Sequence, residues 1–342
     1  GSIGVERYNG STWNIESPVM PGQGRTKLFK NGGYDYAWSQ GYFSYSPSEK
    51  INIQFGHGKL FVGEGYRSML LSDNSFNYPH LRITTSWWKN RIQYTTVFAS
   101  LTRLRRFVNF TSTEATFEKK AAVINYLDFQ LTKKIQFGIF ESVIWKRMNT
   151  NQELLPVDYS FFNPVIGVNT FRFGMNADNN VLAGINAKFQ PFKKLYFYGQ
   201  LAMDDLANGK VGWQLGGKWF DPLGFDNASV QAEVNTAGGR MYAHENVLQN
   251  YSHYNQPLAH PAGGGFFEFL TIGNYRQDDY FFEYKFNYIN YKEFSSGNLY
   301  NKDIHISELT EPDQSEPFTY AQLFYQEAVA GSGICANSNR AS

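Results

Sequence analysis

Two glycine-rich stretches hold most of the residues able to do chemistry in this chain. The first, 55–73, reads FGHGKLFVGEGYRSMLLSD. It gathers His57, Lys59, Glu64, Arg67 and Asp73 in one short run. Gly56, Gly58, Gly63 and Gly65 break strand regularity and permit positive φ or close backbone approach. The run lacks the Gly-Lys-Ser/Thr ending and the following helix of a phosphate-binding loop. Two roles remain. The charges pair as a structural lumen network (His57, Lys59, Glu64, Arg67, Asp73) that locks an inserted segment, or they touch a ligand.

The second stretch runs from Glu233 through Asn235, Gly238, Gly239 and Arg240 to His244, then 250–261 (NYSHYNQPLAHP). Three of the six histidines sit here, His244, His253 and His260. Three histidines suit a metal, but their spacing is not a helical ligand pattern. Tyr, Asn, Gln, His and Gly together also suit stacking on sugar rings and bonding sugar hydroxyls. A purely structural loop is the third reading. No Gly-x-Ser-x-Gly elbow and no recognisable carboxylate pair is present, so no catalysis and no cofactor is expected. One cysteine, Cys335, excludes an intramolecular disulfide and a cysteine-built metal site. The formal charge of +1 gives no field for nucleic acid.

The elements that must position these stretches are aromatic strands. Aromatics make 18% of the chain, with 23 Tyr, 30 Phe and 7 Trp. In 280–290, Tyr280, Phe282, Tyr284, Phe286 and Tyr288 fall on one face. Phe281, Glu283, Lys285, Asn287 and Ile289 fall on the other. Leu195, Phe197, Leu201 and Met203 likewise oppose Tyr196, Tyr198, Gln200, Ala202 and Asp204. A soluble sandwich would bury the aromatic face; a transmembrane barrel would turn it to lipid and keep polar groups in the lumen. Mean hydropathy is −0.44, and no run approaches the ~18 apolar residues of a spanning helix. The aromatic surplus with a polar average favours the barrel.

Candidate strands lie near 34–46, 50–57, 79–88, 91–102, 118–132, 134–146, 164–174, 180–190, 193–203, 210–220, 227–236, 264–275, 278–291 and 317–328. Short turns near 88–91, 132–134 and 190–193 contrast with long polar connections at 103–117, 147–163, 237–263 and 292–316, as in outer-membrane barrels. The fold expected is all-β, a transmembrane antiparallel barrel of about 14–18 strands with long extracellular loops. It is a single domain over 1–330, with an irregular tail at 331–342 and a plug or irregular segment at 58–78. The chain opens Gly-Ser-Ile-Gly without a secretion signal, as expected of a processed, tagged or partial chain.

The sequence resembles the Wzi-type capsule-assembly outer-membrane proteins, in the Bacteroidetes branch that includes gliding-motility RemB-type proteins. The resemblance is carried by 55–73, Asn77–Arg82 (NYPHLR), 160–165 (SFFNPV), Glu233-x-Asn235, 251–263 (YSHYNQPLAHPAG) and Glu268. It departs at Gly238–Tyr242, where an Arg-Pro-Tyr-like element is expected, and in lacking a closing aromatic. The resemblance implies a large barrel in the bacterial outer membrane that holds capsular polysaccharide without catalysis. An alternative is an accessory subunit of a gliding- or secretion-related complex. The expected ligand contacts are Arg67, Asp73, Arg82, Asn235, Tyr251, His253, Asn255 and His260. The expected partners are surface polysaccharide, outer-membrane lipid and other surface-machine proteins.

Overall fold

The computed structural model describes residues 19–20, 24–29, 33–106, 117–149, 153–156, 159–173, 179–205, 210–244 and 246–291. A small antiparallel sheet comprises β1 (Val19–Met20), β2 (Gly24–Phe29) and β3 (Gly33–Tyr36). The main sheet begins with β4 (Gly41–Ser48), β5 (Ile51–Gly58), β6 (Tyr78–Trp87), β7 (Ile92–Arg106) and β8 (Phe117–Gln130). It continues with β9 (Ile135–Lys146), β10 (Asn180–Phe192), β11 (Leu195–Asp205), β12 (Lys210–Phe220) and β13 (Ala228–Ala237). The two-residue strands β14 (Ser252–His253) and β15 (Gln256–Pro257) pair with each other. Then β16 (Phe266–Gln277) and β17 (Tyr280–Tyr291) complete the main sheet. Each strand of the main sheet pairs antiparallel with its sequence neighbour, except that β13 pairs with β16 across the insertion.

Twelve strands thus form one sheet among the described residues, with β4 and β17 at its edges. About 14–18 were expected. The candidate strand 317–328 and the tail 331–342 lie outside the described residues, and 34–46 divides into β3 and β4. The run 164–174 is not a strand. Pro164 lacks a ladder donor, and the segment turns into a short α-helix, α1 (Val168–Phe173).

Alternation settles which face is which. Phe140 and Ile144 of β9, Leu182 of β10, Ala202 of β11 and Phe266 of β16 pack inward in one buried cluster. Their odd-even neighbours Phe197, Leu215, Phe269, Phe286 and Tyr288 stay exposed on the outer face. The aromatic set 280–288 points outward as expected, while Lys285 and Asn287 bond to groups inside.

The connections 49–50, 88–91, 131–134, 193–194 and 278–279 lie at one end. The segments 59–77 and 238–265 start from the other, as does the connection that leaves β9 at Arg147. Two of these, 59–77 and 238–265, fold back into the lumen and pack on each other. The Ser72 N–H donates to the Leu258 carbonyl at 2.7 Å. Met69, Leu70 and Leu71 are fully buried against Met241, Tyr242, Tyr251, Leu258 and Ala259. The irregular segment expected at 58–78 is therefore half of an inner body. Gly184 of β10 admits it: a Cβ there would stand 2.3 Å from Leu70 Cδ2.

Candidate functional site

An irregular backbone inside a barrel must find partners for its own amides and carbonyls, because no ladder supplies them. Inward side chains of the wall do so here. Gln200 of β11 accepts from the Met69 N–H at 2.8 Å and donates to the Val62 carbonyl at 3.0 Å. Gln214 of β12 donates to the Arg67 carbonyl at 2.6 Å. Lys218, also of β12, donates to the Glu64 carbonyl at 2.8 Å. Glu233 of β13 accepts from the Tyr66 N–H and, at 2.6 Å, from the Tyr198 hydroxyl. Gly63 sits at φ 114, and a Cβ on it would fall 1.9 Å from Gln200 Nε2, so only glycine fits between wall and plug.

The charges of the first stretch pair partly across this interface and partly with one another. Glu64 meets Lys188 of β10 at 3.1 Å. Arg67 meets Asp73 at 3.4 Å, partly exposed, and its guanidinium lies 4.8 Å from the Tyr66 ring centre. Lys285 donates to the Tyr66 hydroxyl at 2.7 Å. Burial draws the Lys59 ammonium below its ordinary range, with Asp73 opposing and Arg67 adding to the shift. His57 stands apart from this network: its ring bonds to Ser39 and meets Phe76 edge-on at 6.0 Å.

Four of the expected ligand contacts lie inside the protein, each engaged by the protein itself. Asn235 donates to Glu268 at 2.6 Å and accepts from Gln214 at 2.8 Å. His260 donates to the same Glu268 at 2.8 Å and stacks on Phe266 at 4.4 Å. Tyr251 donates to the Leu70 carbonyl, and Tyr242 to that of Met69 at 2.8 Å. Burial lifts both phenols well above their ordinary range, which keeps them donors. His253 accepts from the Thr102 N–H at 3.0 Å and donates to the Asn77 carbonyl at 3.2 Å. All four are 1% exposed or less. Asn255, half-buried, accepts from the Leu104 N–H at 3.0 Å. His253, Asn255 and His260 fasten the inner body to the wall, Tyr251 and Tyr242 join its two segments, and Asn235 braces the wall strands. His244, His253 and His260 are not brought together, and among the described residues no group of three metal-ligating side chains occurs.

Arg67, Asp73 and Arg82 are the expected contacts that retain access to open space. Arg82 of β6 donates to Gln54 of β5 and lines a cavity of about 590 Å³ between the plug and the short-turn end. Asn52, Thr84, Gln93, Asp128 and Gln136 supply its wall, and Lys59, Phe61 and Glu64 supply its roof. Among the described residues, Arg82 Nε and Asp128 Oδ1 are buried there without a partner. A second polar space of about 370 Å³ shares Gln93, Asp128 and Gln136. Sequence reasoning missed Gln93, Asp128 and Gln136, and also the clamps Gln200, Gln214 and Lys218. Their signal was present: each is a polar residue on the inward parity of an otherwise aromatic strand.

No protein-family model matches the chain, and no curated protein matches it. Solved structures do. The chain is similar to Wzi of Escherichia coli, an outer membrane protein involved in group 1 capsule assembly and a carbohydrate-binding β-barrel. The TM-score is 0.55 at 15% identity, covering 81% of this chain and 62% of that one. It also matches Pseudomonas aeruginosa OpdK solved with vanillate, at TM-score 0.36 and 10% identity, covering 74% of this chain and 62% of that one; a likeness that loose carries no weight. The chain spans under two thirds of either structure. At such identity the likeness to Wzi speaks to architecture, and the chain has a Wzi-like β-barrel fold.

Proposed function

We propose that this protein is a non-enzymatic barrel of the bacterial outer membrane that binds surface polysaccharide of the capsular type. One observation carries the reading. A polar cavity of about 590 Å³ lies against a plug pinned to the wall, and Arg82, Asp128, Asn52, Gln93 and Gln136 line it with hydrogen-bonding side chains. A site built of directional polar groups beside an apolar or aromatic surface is what sugar hydroxyls require. Phe61 and Tyr126 supply that surface here. The pinned plug suits holding a chain in place better than passing solutes through. The carbohydrate binding reported of the Wzi structure agrees in kind.

The test is binding of purified surface-polysaccharide fractions to the detergent-solubilised protein, followed by calorimetry. Saturable binding that Arg82→Ala and Asp128→Ala weaken at least tenfold supports the reading. The reading fails if no fraction binds, or if both variants bind as the parent does. Size analysis of the recovered glycan covers the non-enzymatic part, since shortened chains would refute it.

A further inference from the structure

The outward face of β9 reads Phe137, Ile139, Glu141, Val143 and Trp145. A carboxylate in the middle of an apolar outward row is costly in a lipid-facing wall. Two neighbours share the anomaly. Asn125 of β8 pairs directly with Glu141, and Thr96 of β7 donates to Asn125 at 2.9 Å. All three are buried, Glu141 at 1% exposure.

The cover is the segment 159–173, which returns along the outside of the wall. Glu141 Oε1 accepts from the Gly167 N–H at 3.1 Å, the Thr170 N–H at 2.9 Å and the Thr170 hydroxyl at 2.5 Å. The outward Tyr94 hydroxyl donates to the Pro164 carbonyl and accepts from the Ile166 N–H at 3.1 Å. The Val165 and Val168 amides are satisfied by Asn163 and by the Val165 carbonyl. Phe162 packs on the outward Phe98 at 5.7 Å. The outward Val123, Val143 and Val181 of the nearby strands are fully buried, although outward residues of β11 and β12 are not.

The polarity of the described groups of this segment is thus sorted in one direction. Its Ile166, Gly167 and Thr170 amides and its Pro164 carbonyl turn to polar side chains of the wall, and among its described side chains Tyr159, Phe162, Val165 and Val168 are exposed. That is the arrangement irregular backbone needs to sit beside hydrocarbon, where an unsatisfied amide has no water. We infer that residues 159–173 form an external clasp whose apolar surface contacts lipid acyl chains, held to the barrel by Glu141. The inference rests on the membrane location proposed above.

The test is spin-label accessibility in a reconstituted bilayer. With Cys335→Ser as background, single labels are placed at Val165→Cys, Val168→Cys, Phe286→Cys (outer wall) and Asn90→Cys (short turn). Collision with oxygen is compared with collision with a water-soluble nickel chelate. Labels at 165 and 168 should favour oxygen as the label at 286 does, opposite to that at 90, and Glu141→Ala should increase their mobility. Nickel-dominated collision at 165 and 168 with oxygen-dominated collision at 286 overturns the clasp alone. Protection from both probes overturns lipid as the occupant and indicates a protein cover. Nickel-dominated collision at 286 overturns the membrane location and the clasp with it.

Discussion

Tyr251 donates its hydroxyl to the carbonyl of Leu70 at 2.9 Å, joining two inserted segments that lie 181 residues apart in sequence. Each segment alone is irregular. Together they form the fully buried centre of the lumen. Tyr251→Phe removes the donor and leaves a buried carbonyl unmatched. A loss of about 1–3 kcal/mol is expected, read as a lower denaturation midpoint by heat-modified gel mobility. An unchanged midpoint would show that the bond adds nothing.

Leu70→Ala should cost more, about 2–5 kcal/mol, because Leu70 is fully buried and the wall behind it cannot collapse into the space. Gly184→Ala attacks the same contact from the wall side by overpacking, at about 1–3 kcal/mol. If either variant melted with the parent, the inner body would not be packed as described.

Glu233 receives both the Tyr66 amide and the Tyr198 hydroxyl. Glu233→Ala frees this side of the plug. Planar-bilayer recording should then show more frequent or larger openings than the parent. Parent-like conductance would mean that Gln200, Gln214 and Lys218 hold the plug without it.

His253 links stability to pH. Burial, assisted by the nearby Lys120 and opposed by the Asn77 carbonyl, pushes its pKa down to about 3, against about 6.5 in an unfolded chain. Its bonds require a neutral ring, with Nδ1 accepting from Thr102 and Nε2 donating to Asn77. Between about pH 6.5 and 3 the unfolded chain takes up a proton that the folded one refuses. Stability is therefore complete above about 6.5 and declines as pH falls through that window. Urea midpoints measured from pH 7.5 to 4 should fall, and His253→Gln should flatten that slope. A parallel decline in the variant would assign the effect to other groups.

Phe286 faces outward at 38% exposure. Phe286→Arg should destabilise the protein in bilayers by up to about 2–4 kcal/mol, the cost of a cation on a lipid-facing wall at the midplane. A neutral effect would argue that this face does not meet lipid.

Much of the wall was legible in the sequence. The alternation in 280–290 and in 194–204 identified both faces correctly, because a strand with one wet and one apolar side must alternate with period two. The turns near 88–91 and 131–134 were legible for the same local reason. The helix α1 was not, since what shapes it is the Glu141 carboxylate on another strand. The roles of Asn235, Tyr251, His253 and His260 were also hidden. Their residue types suit sugar binding and internal hydrogen bonding equally, and only the tertiary structure shows them 0–1% exposed and bonded within the protein.

Residue order by itself determined that this chain makes aromatic strands with a polar inner face, since that pattern is local and repeats along the wall. Tertiary structure alone decided what fills the barrel. A glycine-rich segment can enter the lumen only where Gln200, Gln214, Lys218 and Glu233 meet its backbone at matching heights. Those heights are set by the register of β11, β12 and β13, a relation between strands that no single stretch of sequence contains.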